Sequence, residues 1–400
     1  MIARVAERTT SSCDDPHGER TNPPRVDHEA EGTLASCGAL KDYWTVACLS
    51  RDLRERPIAR TIFGTRIALY RDALGRAHAV FDRCLHRAGA LSDGVVVDGK
   101  LACAYHGWTY DASGAVSHVP SLGPEQRGPS HEGAPRGRLH VVDTPRAAGC
   151  VKVFPVLEQD GLVFVLPSGD TRTLRRDAVR VPYADDDDWV SYWMVTRFTS
   201  GVTHLVENFM DVPHTAFVHR GWFRSPARRR IPAVVELTDD HRVRITYEEP
   251  SDRIVGLGRV LHPPGASTTH TDEFIAPNAT IVDYHFGARG GVMLNSHVTP
   301  VGPRESMVYT AFAFRAPLGR FASRLLRPII RAYTQHLIGQ DVDMLRVQER
   351  GLAADESEPR FHNTSADLPH HYVEELRAWL TRGAVDAAPR PERTRVEMWL

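Results

Sequence analysis

Two short Cys/His motifs constrain this 400-residue chain more than any other feature of its sequence. Cys84-x-His86 is followed, after 16 residues, by Cys103-x-x-His106. Each pair lies at a turn between strand-like segments, and the residues between the pairs are long enough for a hairpin that brings them together. Two thiolates and two imidazoles in one small β domain would form a four-ligand metal site.

Two kinds of metal centre compete for such a ligand set. Structural zinc accepts two Cys and two His, but zinc-finger spacing normally groups cysteine with cysteine and histidine with histidine. Here each loop supplies one of each, which favours a [2Fe–2S] cluster with both cysteines on one iron and both histidines on the other, the Rieske arrangement. Gly107 would permit a tight turn beside the last ligand, and Trp108 would shield the cluster.

The composition argues against several classes of function. Lys plus Arg number 49 and Asp plus Glu number 50, so there is no basic field to hold a nucleic acid. No segment approaches the roughly 18 apolar residues of a membrane span. Residues 1–38 are polar and lack the apolar core of a signal peptide, which predicts a disordered N-terminal arm. Four scattered cysteines predict free thiols in a reducing compartment, and hence a cytoplasmic protein: Cys13, Cys37, Cys48 and Cys150.

The pattern of elements changes about halfway along the chain. Residues 39–170 alternate short β-rich runs with Gly and Asp turns, which predicts a small all-β domain. A second domain over residues 171–385 combines strand-like runs with helical spacing at 203–217, 321–351 and 372–380. We therefore expect an α+β protein whose C-terminal, helix-grip-like catalytic domain packs long helices on an antiparallel sheet. Residues 386–400 are expected to form a tail.

A second set of ligand-type residues lies at Asp211, His214 and His219. On a helix Asp211 and His214 would share a face, whereas His219 would lie about 140° further round. Both imidazoles can reach one metal only if the helix ends or unwinds between them, and Pro213 provides a cause. Two imidazoles and one carboxylate would leave adjacent positions on an iron open for O2 and substrate.

Together these motifs resemble those of Rieske non-heme iron oxygenases, the oxygenase (alpha) components of ring-hydroxylating and demethylating systems. The first matches C-x-H followed by C-x-x-H-G-W, with Ala104 where the family often has Pro. The second matches N-x-x-D-x-x-H-x4-H, which begins at Asn208. The resemblance implies that Cys84, His86, Cys103 and His106 bind the cluster. It also implies that His214 and His219 bind a mononuclear Fe(II), and that Asp211 bridges a cluster histidine and an iron histidine.

The resemblance places the third iron ligand at an Asp of a downstream helix, where Asp341 and Asp343 are the candidates. Asp341 aligns with Leu345 on a partly apolar helical stripe, as an inward-facing ligand would. Asp343 aligns with Arg346 and Arg350, which is typical of an exposed face. We therefore predict Asp341.

The activity that the resemblance implies is that of a terminal oxygenase. Electrons would pass from the cluster, through His106, Asp211 and His214, to the Fe(II) of a neighbouring subunit in a homotrimer. O2 would then oxidise an aromatic or other hydrophobic small molecule. The chain has neither a Gly-rich dinucleotide loop after a strand nor a plant-type ferredoxin cysteine run, so NAD(P)H would act through a separate reductase, with or without a ferredoxin.

Several alternatives stay open within and outside this family. Monooxygenation, demethylation or another oxidative tailoring reaction is favoured, and a ring cis-dihydroxylating dioxygenase is the alternative of the same class. A non-catalytic Rieske electron-transfer protein or a zinc-binding module is the alternative of another class.

Overall fold

The protein is described here by a computed structural model, which covers residues 31–126, 144–223, 230–248, 261–262, 266–287, 290–317, 319–354 and 361–399. Most of the predicted N-terminal arm therefore lies outside the described residues. The prediction is wrong for its last part, since Glu31 is only 3% exposed and its carboxylate pairs with Arg377 at 2.8 Å. A buried charge needs such a partner, and the partner comes from a helix at the other end of the chain.

The N-terminal half is all-β, as predicted. Among its described residues, eleven strands form three antiparallel sheets, ordered β1-β11-β10, β2-β3-β4-β9 and β5-β6-β7-β8. The strands are β1 (Thr45–Leu49), β2 (Ile58–Ile62), β3 (Thr65–Arg71), β4 (Ala77–Phe81), β5 (Val95–Val97), β6 (Lys100–Ala102), β7 (Thr109–Tyr110), β8 (Val116–His118), β9 (Val153–Phe154), β10 (Val156–Gln159) and β11 (Leu162–Val165).

The C-terminal half is built on one antiparallel sheet of eight strands, ordered β12-β18-β17-β16-β15-β14-β13-β19. Its strands are β12 (Val190–Phe198), β13 (Arg230–Leu237), β14 (Arg242–Tyr247), β15 (Thr268–Ile275), β16 (Ala279–Phe286), β17 (Gly290–Gly302), β18 (Glu305–Arg315) and β19 (Glu392–Trp399). The helices with both ends inside the described residues are α1 (Val202–Met210), α2 (Arg320–Ala354) and α3 (Leu368–Thr381). The predicted α+β class is confirmed. Within the described ranges, no helix combines the length and the hydropathy that a membrane crossing requires.

Both faces of the large sheet are covered, which explains why β17 and β18 are buried almost continuously rather than at every second residue. On one face, Met293 and Tyr309 pack against side chains of β1 and β11. The Tyr309 hydroxyl donates a hydrogen bond to the Ala47 carbonyl at 2.7 Å across this contact. On the other face, Leu294 and Phe312 point toward α1 and α2. The sheet therefore joins the all-β domain to the helical layer.

The prediction of a C-terminal tail is wrong for residues 392–399. These residues form β19, which pairs along the whole of β13 at the edge of the sheet. Val396 and Met398 are buried, whereas Glu392, Arg393 and Arg395 leave the strand largely charged. An edge strand that buries few residues lacks the apolar alternation that marks a strand in sequence.

Candidate metal centres and the adjoining cavity

The two Cys/His loops lie side by side at the ends of short strands. The loop after β4 carries Cys84 and His86, and the turn between β6 and β7 carries Cys103 and His106. Each loop is closed by its own backbone hydrogen bonds, from the Cys84 N–H to the Gly89 carbonyl at 2.8 Å and from the Cys103 N–H to the Trp108 carbonyl at 2.9 Å. Local closure of this kind holds the ligands in position before any metal binds.

The cysteines point inward, whereas His86 is half-buried and His106 lies at the surface. Cys84 and Cys103 are buried, whereas His106 is exposed and its ring meets that of His86 edge-on, with 4.5 Å between centroids. The predicted shielding residue, Trp108, stacks on His86 at 4.8 Å with the rings 2° from parallel. Two thiols on one side and two imidazoles on the other suit a cluster with one iron for each pair.

Two observations test whether these side chains fit a cluster. The Nδ1 atom of His86 is buried and has no hydrogen-bond partner among the residues that the structure describes. Burial raises the pKa of the Cys103 thiol, so a nearby cation is needed to hold it as a thiolate. Both features suit a metal-bound ligand set.

Tyr110 is a residue of this site that sequence reasoning missed. Its hydroxyl lies 3.1 Å from Cys84 Sγ and accepts a hydrogen bond from the Leu85 N–H at 2.9 Å. It thus supports the first ligand loop from β7. A fully buried tyrosine needs a partner for its hydroxyl, and its place just after the second motif was the available signal.

The second site begins where α1 ends. The helix stops at Met210, short of the predicted residue 217, because Pro213 has no N–H for the helix and its ring conflicts with the carbonyl one turn earlier. Asp211 is extended, and His214 lies in a short 3₁₀ turn, Pro213–Ala216. The chain thus changes direction between Asp211 and His219, as both imidazoles require.

The structure brings His214, His219 and Asp341 together, and one ligand atom from each lies within 4.8 Å of the others. Asp341 Oδ1 lies 3.5 Å from His214 Nε2 and 3.2 Å from His219 Nε2. Asp341 is 5% exposed, whereas Asp343 is exposed and pairs with Arg346 at 2.8 Å. The geometry therefore favours Asp341 over Asp343.

These three side chains fit a divalent cation. Asp341 Oδ1 is buried, yet it has no hydrogen bond of normal geometry to any described residue. Burial alone would lower the pKa of His219 and raise that of Asp341, but the attraction among Asp341, His219 and His214 outweighs burial and shifts both pKa values the other way. An ionised carboxylate aimed between two imidazoles is a donor set that iron accepts.

Gln340 is a second residue that sequence reasoning missed. The Nδ1 atom of His219 lies 2.9 Å from Gln340 Oε1, which directs Nε2 of the same ring toward Asp341. Ligand histidines commonly donate their other N–H to such a partner. No local sequence signal shows this contact, since the two residues are 121 positions apart.

The predicted bridging residue, Asp211, lies next to one of its expected partners. Its carboxylate is 3.8 Å from His214 Nδ1, which is too long for a hydrogen bond, and it accepts one from the His214 backbone N–H at 3.4 Å. Among the described residues of one chain, no hydrogen bond links Asp211 to His106. The ring of His106 instead packs against Tyr105, with 3.9 Å between centroids.

A cavity of about 150 Å³ borders His214, His219 and Asp341. Its wall is mainly apolar and includes Phe209, Val282, Leu294, Phe312 and Ile338. His285 and His297, on two strands of the same sheet, are not among its lining residues. His285 binds the Tyr183 hydroxyl at 2.9 Å, and His297 binds Asn295 at 2.9 Å.

A Cys2His2 site in a small β domain and a His2Asp site beside an apolar cavity define the class of two-centre iron proteins. Two family models match accordingly. Residues 43–155 match the Rieske [2Fe-2S] domain, and residues 199–379 match the vanillate O-demethylase oxygenase C-terminal domain. The chain belongs to the family of Rieske-type oxygenase components.

Individual relatives agree with this membership. The vanillate O-demethylase oxygenase subunit of Pseudomonas sp. (strain HR199 / DSM 7063) is 32% identical over 78% of this chain and 87% of its own length. The oxygenase component of dicamba O-demethylase from Stenotrophomonas maltophilia is 33% identical over 50% of this chain. That match spans only 53% of the length of the dicamba O-demethylase component. A second match, with a toluene-4-sulfonate monooxygenase subunit of Comamonas testosteroni, spans 51% of the length of that subunit.

A solved structure shares the fold. The crystal structure of dicamba monooxygenase bound to 3,6-dichlorosalicylic acid superposes with a TM-score of 0.72 at 23% identity. The match covers 87% of this chain and 100% of that one. Both domains and their connection are therefore common to the two proteins.

Proposed function

We propose that this protein is the terminal oxygenase of a multicomponent system that uses O2 to oxidise an aromatic or other hydrophobic small molecule. The observation that carries this proposal is the convergence of His214, His219 and Asp341 on one point at the edge of an apolar cavity. A protein that only transfers electrons or binds zinc does not require a second set of metal ligands beside such a cavity.

The proposal assigns two metal centres. Cys84, His86, Cys103 and His106 would hold a [2Fe–2S] cluster. His214, His219 and Asp341 would hold a mononuclear Fe(II). When bound, the cluster supplies single electrons and the iron activates O2 beside the substrate.

The protein's own side chains position these centres and the substrate. Gln340 holds the His219 ring so that its Nε2 faces Asp341. The apolar wall of the cavity would bind a hydrophobic substrate and exclude water from its reacting end.

A homotrimer in which electrons pass between neighbouring subunits also belongs to the proposal. The exposure of His106 supports it, because an exposed imidazole is accessible to another chain. Asp211, beside His214, would accept a hydrogen bond from the neighbour's cluster histidine and so bridge the two centres.

The relatives support the proposed reaction type and electron source. Their names include O-demethylases and monooxygenases, which favours demethylation or monooxygenation over cis-dihydroxylation. The words "component", "system" and "subunit" in the same names favour a separate NAD(P)H-dependent reductase, with or without a ferredoxin. Cys37, Cys48 and Cys150, which are not cluster ligands, form no disulfide among the described residues, and this supports a location in the reducing cytoplasm.

Metal analysis of single-residue variants tests the assignment. The anaerobically purified protein should hold about three iron atoms per chain and give a Rieske-type EPR signal after reduction. His214→Ala and Asp341→Ala should each lose about one iron while the EPR signal persists. The matched control is Asp343→Ala, which removes a nearby exposed carboxylate and should keep all the iron. Colourless protein containing zinc, or iron loss in the Asp343 variant alone, would contradict the proposal.

A further inference from the structure

One carboxylate lies in the wall of the cavity among apolar side chains. Asp272 is 0% exposed and lines the same cavity as the three candidate iron ligands. Its neighbours in register are Ile245 on β14 and Val282 on β16, and the same row continues through Leu294 and Phe312. Burying a carboxylate among apolar side chains costs folding free energy unless hydrogen-bond donors contact it.

A tyrosine and a histidine donate hydrogen bonds to this carboxylate, and a second tyrosine stacks on the histidine. His270 Nε2 donates to Asp272 Oδ1 at 2.8 Å, and the Tyr247 hydroxyl donates to Oδ2 at 3.2 Å. The ring of His270 is stacked between those of Tyr247 and Tyr284, with centroid separations of 4.2 Å and 3.8 Å. The three rings occupy paired positions on β14, β15 and β16, so the sheet itself keeps them in place.

The carboxylate retains acceptor capacity. A carboxylate has about four lone-pair positions, and the two donors from the described part of the chain, His270 and Tyr247, occupy one on each oxygen. The other lone-pair positions are those of Asp272, which borders the same cavity as His214, His219 and Asp341. In an apolar pocket, a small number of fixed polar groups determines the orientation of a small ligand.

We propose that Asp272 is the substrate-positioning acceptor of this cavity, which selects aromatic compounds with a hydroxyl or amino group over anionic ones. This inference rests on the proposed function. The substrate's O–H or N–H donates to Asp272, and the ring lies against Val282, Leu294 and Phe312. An anionic substituent at the same place would meet a like charge in a poorly solvated site.

Binding of four small probes to the anaerobic, iron- and cluster-loaded protein tests this proposal. Phenol, aniline, toluene and benzoate have one ring and one substituent each, so they differ mainly in charge and hydrogen bonding. By titration calorimetry, phenol and aniline should bind about tenfold more tightly than toluene, the usual effect of a hydrogen bond to a charged group. Benzoate should bind no more tightly than toluene.

Two variants localise the effect. Asp272→Asn removes the charge at constant size and should reduce the preference for phenol over toluene to about twofold or less, while benzoate gains affinity relative to toluene. The matched control is Asp283→Asn on β16, whose carboxylate faces away from the cavity and pairs with Tyr183. It should keep the wild-type ranking.

The outcomes separate this inference from the proposed function. Equal affinity for all four probes, no measurable binding of either donor probe, tighter binding of benzoate than of phenol, or an unchanged ranking in Asp272→Asn overturns the role of Asp272. Iron is assayed on the same samples. Failure of the wild type to bind the mononuclear iron would refute the proposed function, whereas full iron with an unselective cavity refutes only the inference about Asp272.

Discussion

At the scale of single residues, the orientation of His219 depends on a group that is not itself a candidate ligand. Gln340 Oε1 accepts from Nδ1 and leaves Nε2 facing Asp341. Gln340→Met keeps the length of the side chain but removes this acceptor, and should weaken binding of the mononuclear iron by about 10- to 100-fold. Competition with an iron chelator measures the change.

Two further variants make the Gln340 experiment specific. Gln340→Glu retains an acceptor oxygen and should restore most of the affinity. Gln335→Met makes the same replacement at an exposed position of α2 and should leave iron binding unchanged. Wild-type affinity in Gln340→Met would show that packing alone orients His219.

Asp211 gives a second prediction at this scale. Asp211→Ala should leave both centres bound, since the Asp211 carboxylate lies beside His214 without entering the three-residue ligand set. Product formation and oxidation of the reduced cluster by O2 with substrate should slow by about 10- to 100-fold. Stopped-flow absorbance follows the cluster directly, and rapid oxidation in the variant would exclude the bridging role. Asp343→Ala serves as the control for loss of a carboxylate.

At the scale of elements, the turn between β6 and β7 depends on Gly107. Its φ is +69°, and an added Cβ would lie 2.9 Å from Pro120 Cγ. Gly107→Ala should therefore strain the turn that carries His106, by about 1–2 kcal/mol from backbone conformation and more from the contact. We expect lower cluster content, measured by absorbance and EPR.

The control for this turn is Gly75→Ala. Gly75 has a similar φ of +77°, but an added Cβ would meet nothing within 4 Å, and its turn carries no ligand. This variant should keep the cluster. Equal cluster loss in both variants would show that general destabilisation, rather than the ligand turn, is responsible.

At the scale of the whole molecule, His297 lies where the two domains meet. It is buried on β17, and its ring packs edge-on against Phe164 of β11 at 5.8 Å. Burial lowers the pKa of His297 to about 4 from its ordinary value of 6.5. The native protein thus keeps His297 neutral at pH values where the unfolded chain takes up a proton, so stability falls as pH decreases from 6.5 toward 4.

The expected size of this effect is about 1.4 kcal/mol per pH unit within that range. Urea unfolding near neutral pH and at about pH 5 should show a smaller loss of stability in His297→Gln than in the wild type. His118→Gln, at an exposed position, should follow the wild type. Equal pH dependence in all three proteins would contradict the prediction.

The sequence by itself determined the class of the fold and the two groups of ligand-type residues. Metal-binding loops place their ligands at short, fixed spacings, and a long helix repeats its apolar face, so both are visible in local sequence. The same helical repeat favoured Asp341 over Asp343, and the burial of Asp341 agrees with it. Their roles as ligands stay predictions for metal analysis.

Only the tertiary structure decided which distant residues complete these sites. Gln340 meets His219 because α2 packs beside the end of α1, and Asp272 faces the cavity because strand register places it in a row of apolar side chains. Strand β19 likewise pairs with β13 near the middle of the chain, and the buried Glu31–Arg377 pair joins residues near its two ends. A lone Asp or Gln has the same local appearance at the surface and in a site, since the contact that gives it a role comes from an element far away in sequence.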